Sequence, residues 1–185
     1  HVTVLNGQDS LDFLEQRPRH KPFFLTTAFF ATHAWDGRDV PYQVQPESME
    51  WYVNDTIPRP STATEQHWKD LPYFFTEENV GRQRYRGRFD EENNDEKLKN
   101  LFRMATEVDV QVGRIMQKVK KQGLYDRTLF IFTTDNGNLH GEHGLAEKWY
   151  PWEESIQVPL VIQDPRMPSN GLGTRNDDYT LSVDL

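Results

Sequence analysis

The stretch from Asp95 to Gln122 constrains this chain more than any other. Leu98, Leu101, Phe102, Ala105, Val108, Val112, Ile115, Met116 and Val119 fall on one stripe at helical spacing, which predicts a single long amphipathic helix. Gly123 follows as its C-cap, and Lys118, Lys120 and Lys121 complement the negative end of the helix dipole. Such a helix must lay its apolar face on something, and three apolar runs are available. Phe23 to Phe30 is apolar on both faces, as suits a central strand, and Thr128 to Thr133 and Val158 to Ile162 follow the helix. Strand, helix, strand in this order predicts a right-handed βαβ unit and an α/β fold with a mostly parallel sheet flanked by helices.

The remaining chain adds a short helix from Asn6 to Glu15, closed off by Pro18, and an irregular insert at 35–94 rich in proline. A connection that long without clear elements usually carries function or short structure of its own. The 185 residues are enough for one substantial core, and five Trp, seven Tyr and eleven Phe supply material for it. The formal charge of −8 argues against general nucleic-acid binding. No run is long and apolar enough to span a bilayer. With no cysteine, the chain has no disulfide, thiolate ligand or cysteine nucleophile. It opens on His1-Val2-Thr3-Val4 with no basic or apolar leader pattern, which reads as a mature product or a fragment, a fragment being favoured.

Chemistry concentrates where the predicted strands end. In open α/β sheets ligands sit beyond the carboxyl ends of the strands, and both His33 and Asp135-Asn136 follow such runs. Asp135 and Asn136 offer a carboxylate and an amide oxygen, hard donors that suit Ca²⁺ or Mg²⁺; the same Asp-Asn-Gly is also a common tight turn. Lys148, returned by the glycine-bearing loop 137–144, could hold an oxyanion as a point charge or stay solvated. His33 could bind an anion or protonate a leaving oxygen, or simply satisfy a backbone carbonyl. His140 and His143 lie close in sequence like a zinc pair, but flanking glycines disfavour the helix that such a pair needs. His143 therefore reads as a second-layer or structural residue and His140 as loop surface. The run Gly81 to Phe89 alternates arginine with other residues. It could bind an anionic substrate, a sugar or RNA, but an exposed strand or loop with solvated arginines is the simpler account. Asp177-Asp178 reads as solvated loop.

These residues resemble the sulfatase family. The resemblance rests on Phe-Thr-Thr-Asp135-Asn136-Gly, on Gly-Glu-His143-Gly-Leu-Ala-Glu-Lys148-Trp-Tyr, and on Glu153-Glu154-Ser155-Ile156-Gln157-Val158-Pro159-Leu160. Upstream, Lys21-Pro22-Phe23-Phe24-Leu25 through Ala31-Thr32-His33 resembles the family's strand bearing an active-site histidine. The resemblance implies an alkaline-phosphatase-like fold and, for residues 1–185, part of a single catalytic domain. It implies sulfate-ester hydrolysis, with Asp135 and Asn136 holding a divalent cation, usually calcium, Lys148 contacting the sulfate, and His33 contacting the sulfate or the leaving oxygen. Trp35, Trp51 and Arg86 are candidates for substrate contact. A sulfated small molecule or glycan is the implied substrate, and the implied setting is periplasmic, secreted or lysosomal.

The family's nucleophile is a formylglycine made from Cys or Ser in a short motif with Pro or Ala and an Arg. None of Ser10, Ser48, Ser61, Ser155, Ser169 or Ser182 sits in one. The N-terminal Asp-Asp metal pair and the second lysine-histidine motif are missing too, so the expectation is an internal piece that is inactive alone. The competing readings are a phosphate or phosphonate ester hydrolase on the same fold, and a non-catalytic anion- or sugar-binding module.

Overall fold

The computed structural model describes residues 1–37, 40–90 and 94–185. Helix α1 (Val2–Gln16) is longer than its sequence signal and ends where Arg17 turns extended before Pro18. Its buried positions Thr3, Gly7, Ser10 and Leu14 repeat every three or four residues, and mostly small side chains let another helix approach closely.

The run at 23–30, expected as a central strand, is extended but makes no strand ladder among the described residues. Phe23, Leu25, Thr27 and Phe29 are half-buried, whereas Phe24, Thr26, Ala28 and Phe30 are exposed. The run lies on α1 through the Ser10–Thr27 hydroxyl pair at 2.7 Å and the edge-to-face Phe13–Phe23 contact. β propensity made the chain extended; a ladder also needs a neighbour, and no described segment offers one.

The insert is less irregular than its prolines suggest. A 3-10 turn spans Pro46–Glu50, and α2 (Glu65–Lys69) and α3 (Val80–Arg88) follow, each capped by a side chain. Residues 38–39 and 91–93 of that expectation lie outside the described ones.

Helix α4 (Asn94–Lys121) bears out the long amphipathic helix. It closes on Gly123 at φ 68°, with the Leu124 amide bonded to the Val119 carbonyl. Its apolar side buries Leu98, Leu101, Met104 and Val108. Phe102, assigned to the same stripe by sequence, is 42% exposed. A second stripe, Asn100, Arg103, Glu107 and Gln111, is polar and equally buried. Arg103 donates to the carbonyls of Met49 and Trp51, and Glu107 accepts from the Gln45 amide. Loop backbone groups need partners, and this face supplies them.

After α4 come β1 (Phe130–Thr133), the hairpin β2 (Leu139–His140) and β3 (Ala146–Glu147), the short α5 (Glu153–Ile156), and β4 (Leu160–Gln163). β1 pairs with β4, Phe130 opposite Gln163 and Thr133 opposite Leu160, and the pairing is antiparallel; β2–β3 is antiparallel as well. The expected mostly parallel sheet is therefore corrected for the described strands. Parallel neighbours need a crossover, usually a helix laid on the sheet, but β1 and β4 are joined by a hairpin and one turn of helix. The core gathers Tyr42, Tyr85, Phe89, Leu98, Leu101, Met104 and Ala146, with Ala31, Ala34, Val44 and Ile57 against it. It thus lies among α3, α4 and β3.

Candidate active site

Strand β1 ends at Thr133 and the chain bends at Asp135. Thr134 Oγ1 donates to the Asn136 carbonyl at 3.0 Å, and Asn136 Nδ2 donates to the Gly137 carbonyl at 2.7 Å. The amide nitrogen is thereby tied and Asn136 Oδ1 left as an acceptor. Asp135 is exposed, and no donor bonds its carboxylate among the described residues. Gly137 is required by close approach: its amide donates to the Ser155 carbonyl at 2.9 Å. A Cβ there would overlap the Glu154 carbonyl and sit 2.8 Å from that of Gln157. The turn is thus clamped on α5.

The hairpin that returns the chain to Lys148 has a tightly specified backbone. Gly141, His143, Gly144 and Glu147 have φ of 119°, 58°, 69° and 73°, and left-handed backbone is uncommon for residues with a side chain. At the hairpin tip, the His143 amide donates to the Thr62 carbonyl, and its ring stacks on Trp152 at 5.0 Å. Glu154 lies 3.8 Å from the same ring. His140, expected on the loop surface, instead sits on β2 with its ring edge-on to Phe89 and bonded to Asn138. Burial pushes it down to about 4, so it is neutral at ordinary pH. Lys148 is half-buried, and its ammonium has no ion pair among the described residues.

His33 is exposed. Its Nδ1 lies 2.7 Å from the Ala34 carbonyl, which can only accept, so Nδ1 carries the proton and Nε2 is left for other chemistry. Trp35 is half exposed, with its amide on the Pro41 carbonyl. Trp51 is half-buried, its carbonyl taken by Arg103.

The arginine run is the main feature that sequence reasoning misplaced. It forms helix α3, whose N-cap Asn79 accepts from the amides of Gly81 and Arg82. On a helix, alternate arginines separate into i, i+4 pairs on two faces. Arg82 and Arg86 pair with Glu65 and Glu77, and Arg82 also donates to the Gly144 carbonyl at 3.1 Å and lies over Trp68. Arg84 and Arg88 turn to Asp36 and Glu147. Hydrogen bonding from Arg84 and Arg88 holds the Asp36 carboxyl down at about 2. Arg82 and Arg88 are buried, not solvated. A helix cap at Asn79 was the available signal.

No hydrogen bond or ion pair joins His33, Asp135 and Lys148 directly among the described residues, but the backbones that carry them are linked. Ser155 accepts from the Gly137 amide through its carbonyl and donates through Oγ to the Glu147 carbonyl at 3.5 Å. Glu147 precedes Lys148, and its carboxylate meets Arg88, which also holds Asp36. Two hard oxygens at residues 135 and 136 fit a divalent cation of the calcium or magnesium kind. They do not complete a coordination shell, and among the described residues no group of three or more His, Cys, Asp or Glu could hold a metal.

A family model described as Sulfatase matches residues 5–185. An arylsulfatase of Clostridium perfringens (strain 13 / Type A) is 28% identical over 167 residues, which cover 89% of this chain and 32% of that protein. An N-acetylglucosamine-6-O-sulfatase of Bacteroides thetaiotaomicron is 37% identical over 88 residues, 48% of this chain and 15% of the relative. A solved structure of a protein bound to its substrate D-glucosamine-2-N,6-O-disulfate superposes with a TM-score of 0.63 at 19% identity, covering 89% of this chain and 43% of its own. At that identity the likeness shows the fold. The chain spans about a third of the arylsulfatase and less of the second relative.

Proposed function

The chain belongs to the sulfatase family, and on that premise we propose that residues 1–185 are part of a single catalytic domain that hydrolyses sulfate esters. Lys148 binds a sulfuryl oxygen. His33, as an imidazolium whose Nδ1–H is held on the Ala34 carbonyl, serves the leaving oxygen by giving it the Nε2 proton as the ester bond breaks, which leaves the ring neutral with its remaining proton on Nδ1. Asp135 and Asn136 would hold a divalent cation, calcium by the family resemblance with magnesium as the alternative, to neutralise charge growing on the sulfuryl oxygens. A formylglycine, supplied by polypeptide beyond these residues, would provide the attacking oxygen. His143 supports the loop from its place against Trp152. Trp35 and Arg86 are the proposed substrate contacts, although Arg86 already pairs with Glu65 and Glu77. The substrate is a sulfated small molecule or glycan, and the setting is periplasmic, secreted or lysosomal. No helix among the described residues is long and apolar enough to cross a membrane.

The observation that carries this reading is the family match along nearly the whole chain, on residues whose supporting backbones Ser155 ties together. A full-length protein carrying this segment should release 4-nitrophenol from 4-nitrophenyl sulfate. Lys148→Ala should lower kcat by about 10²- to 10³-fold, the range seen when one charge-stabilising donor is removed. The isolated 185-residue chain should release none. Full activity in the Lys148→Ala protein would sink the site assignment, and turnover by the isolated chain would sink the outside nucleophile.

A further inference from the structure

We infer that Arg88, on helix α3, is a positioning residue that clasps the His33 loop to the Lys148 loop. The inference rests on the proposed roles of His33 and Lys148, and none of it follows from sequence spacing. Arg88 is 6% exposed, and its two terminal nitrogens go to two different carboxylates. Nη2 meets Asp36 Oδ1 at 2.7 Å, three residues beyond His33, and Nη1 meets Glu147 Oε1, one residue before Lys148. Arg84, one helical turn earlier, reinforces the first contact with a bidentate grip on Asp36 at 2.5 and 3.0 Å and lies 3.7 Å from Glu147.

Three features make this more than a surface ion pair. The guanidinium is buried, and charge-assisted bonds in such surroundings hold geometry that exposed pairs do not. Tyr42, a core residue, feels Arg88, Glu147 and Asp36, and burial pushes its hydroxyl up to about 12, so it stays neutral beside the charges. Glu147 also has a left-handed backbone, φ 73°, at a residue that carries a side chain. A conformation of that kind persists only where its surroundings over-determine it. Here they do so from two sides, Arg88 on the carboxylate and Ser155 on the carbonyl. Lys148 therefore leaves the hairpin in a direction set by α3, and the same arginine fixes where the His33 loop meets it. Arg82, on the other face of α3, holds the Gly144 carbonyl at the start of the same return.

The test is made in the full-length sulfatase carrying this segment, with 4-nitrophenyl sulfate as the good leaving group, an alkyl sulfate as the poor one, and inorganic sulfate as competitive inhibitor. Misplacing a reacting group by about 1 Å can cost as much as 100-fold. Arg88→Ala should accordingly lower kcat/KM by about 10- to 100-fold on both esters, with Arg88→Lys recovering part of it. The two halves should then separate. Asp36→Asn, which loosens the His33 side, should lower kcat on the alkyl sulfate more than on 4-nitrophenyl sulfate and leave inhibition by sulfate unchanged. Glu147→Gln, which loosens the Lys148 side, should raise both KM and the inhibition constant for sulfate on either ester. Arg166→Ala, in an exposed pair with Asp164, is the control. If Arg88→Ala does not fold, the two near-isosteric variants decide alone. Near-wild-type kinetics in both, or an equal loss on every substrate and inhibitor, overturns the clasp. Should Lys148→Ala also leave activity intact, the underlying site assignment has failed; loss there with none at Asp36 and Glu147 rejects only the clasp.

Discussion

Gly137 carries a constraint that its motif does not announce. In Asp-Asn-Gly the glycine looks like turn chemistry, yet no positive φ is found at 137. What forbids a side chain is the carbonyl row of α5, with Gln157 O 2.8 Å from where a Cβ would stand. Gly137→Ala should cost about 1–3 kcal/mol, as overpacking against backbone usually does. A lower midpoint in urea with unchanged slope would show it. An unchanged midpoint would mean that α5 yields freely and that the turn is not clamped. Asn136 was legible as an oxygen donor from its type; that its amide nitrogen is spent on the Gly137 carbonyl, which selects Oδ1, was not.

At the scale of elements, α4 and α3 show why one helix was readable and the other was not. Apolar periodicity announces α4, and Gly123 ends it with the expected left-handed cap. Helix α3 has almost no apolar stripe, and its alternating arginines imitate a strand. Its stability comes instead from Asn79, which caps two amides and also accepts from the Tyr150 hydroxyl. Asn79→Ala should therefore destabilise by about 1 kcal/mol or somewhat more, since the cap and a hydroxyl partner are lost together. Gly87→Ala, in the same helix with open space around it, should stabilise by about 0.5–1 kcal/mol. Thermal unfolding of the pair checks the signs; two shifts in the same direction would argue against this account of α3.

For the whole molecule, the salient fact is how much apolar surface the strands leave open. Phe24 is 91% exposed, and Phe30, Leu129, Ile131, Phe132, Val161 and Ile162 are each more than two-fifths exposed. β1 and β4 form a two-stranded ribbon with both outer edges unpaired among the described residues, and such ribbons are marginal alone. In the 185-residue chain these faces meet water. Purified as such, it should bind a dye of apolar surfaces and self-associate with rising concentration, read by fluorescence and light scattering. A monomer without dye binding would contradict the description of these faces as open.

Sequence alone determined what is local: the α4 stripe and its cap, the Asp-Asn-Gly turn, the lysine at the end of a glycine-bearing return, and through these motifs the family. Helical period, capping and turn chemistry are set by neighbours within a few residues, so they can be read without a fold. Only tertiary structure decided that β1 and β4 run antiparallel, that 23–30 lies against α1 with no strand partner among the described residues, and that Arg82 and Arg88 are buried. Those outcomes depend on partners far along the chain. Asp36 and Glu147 stand about fifty and sixty residues from Arg88, and a charge can be buried only where folding brings its counter-charges to it.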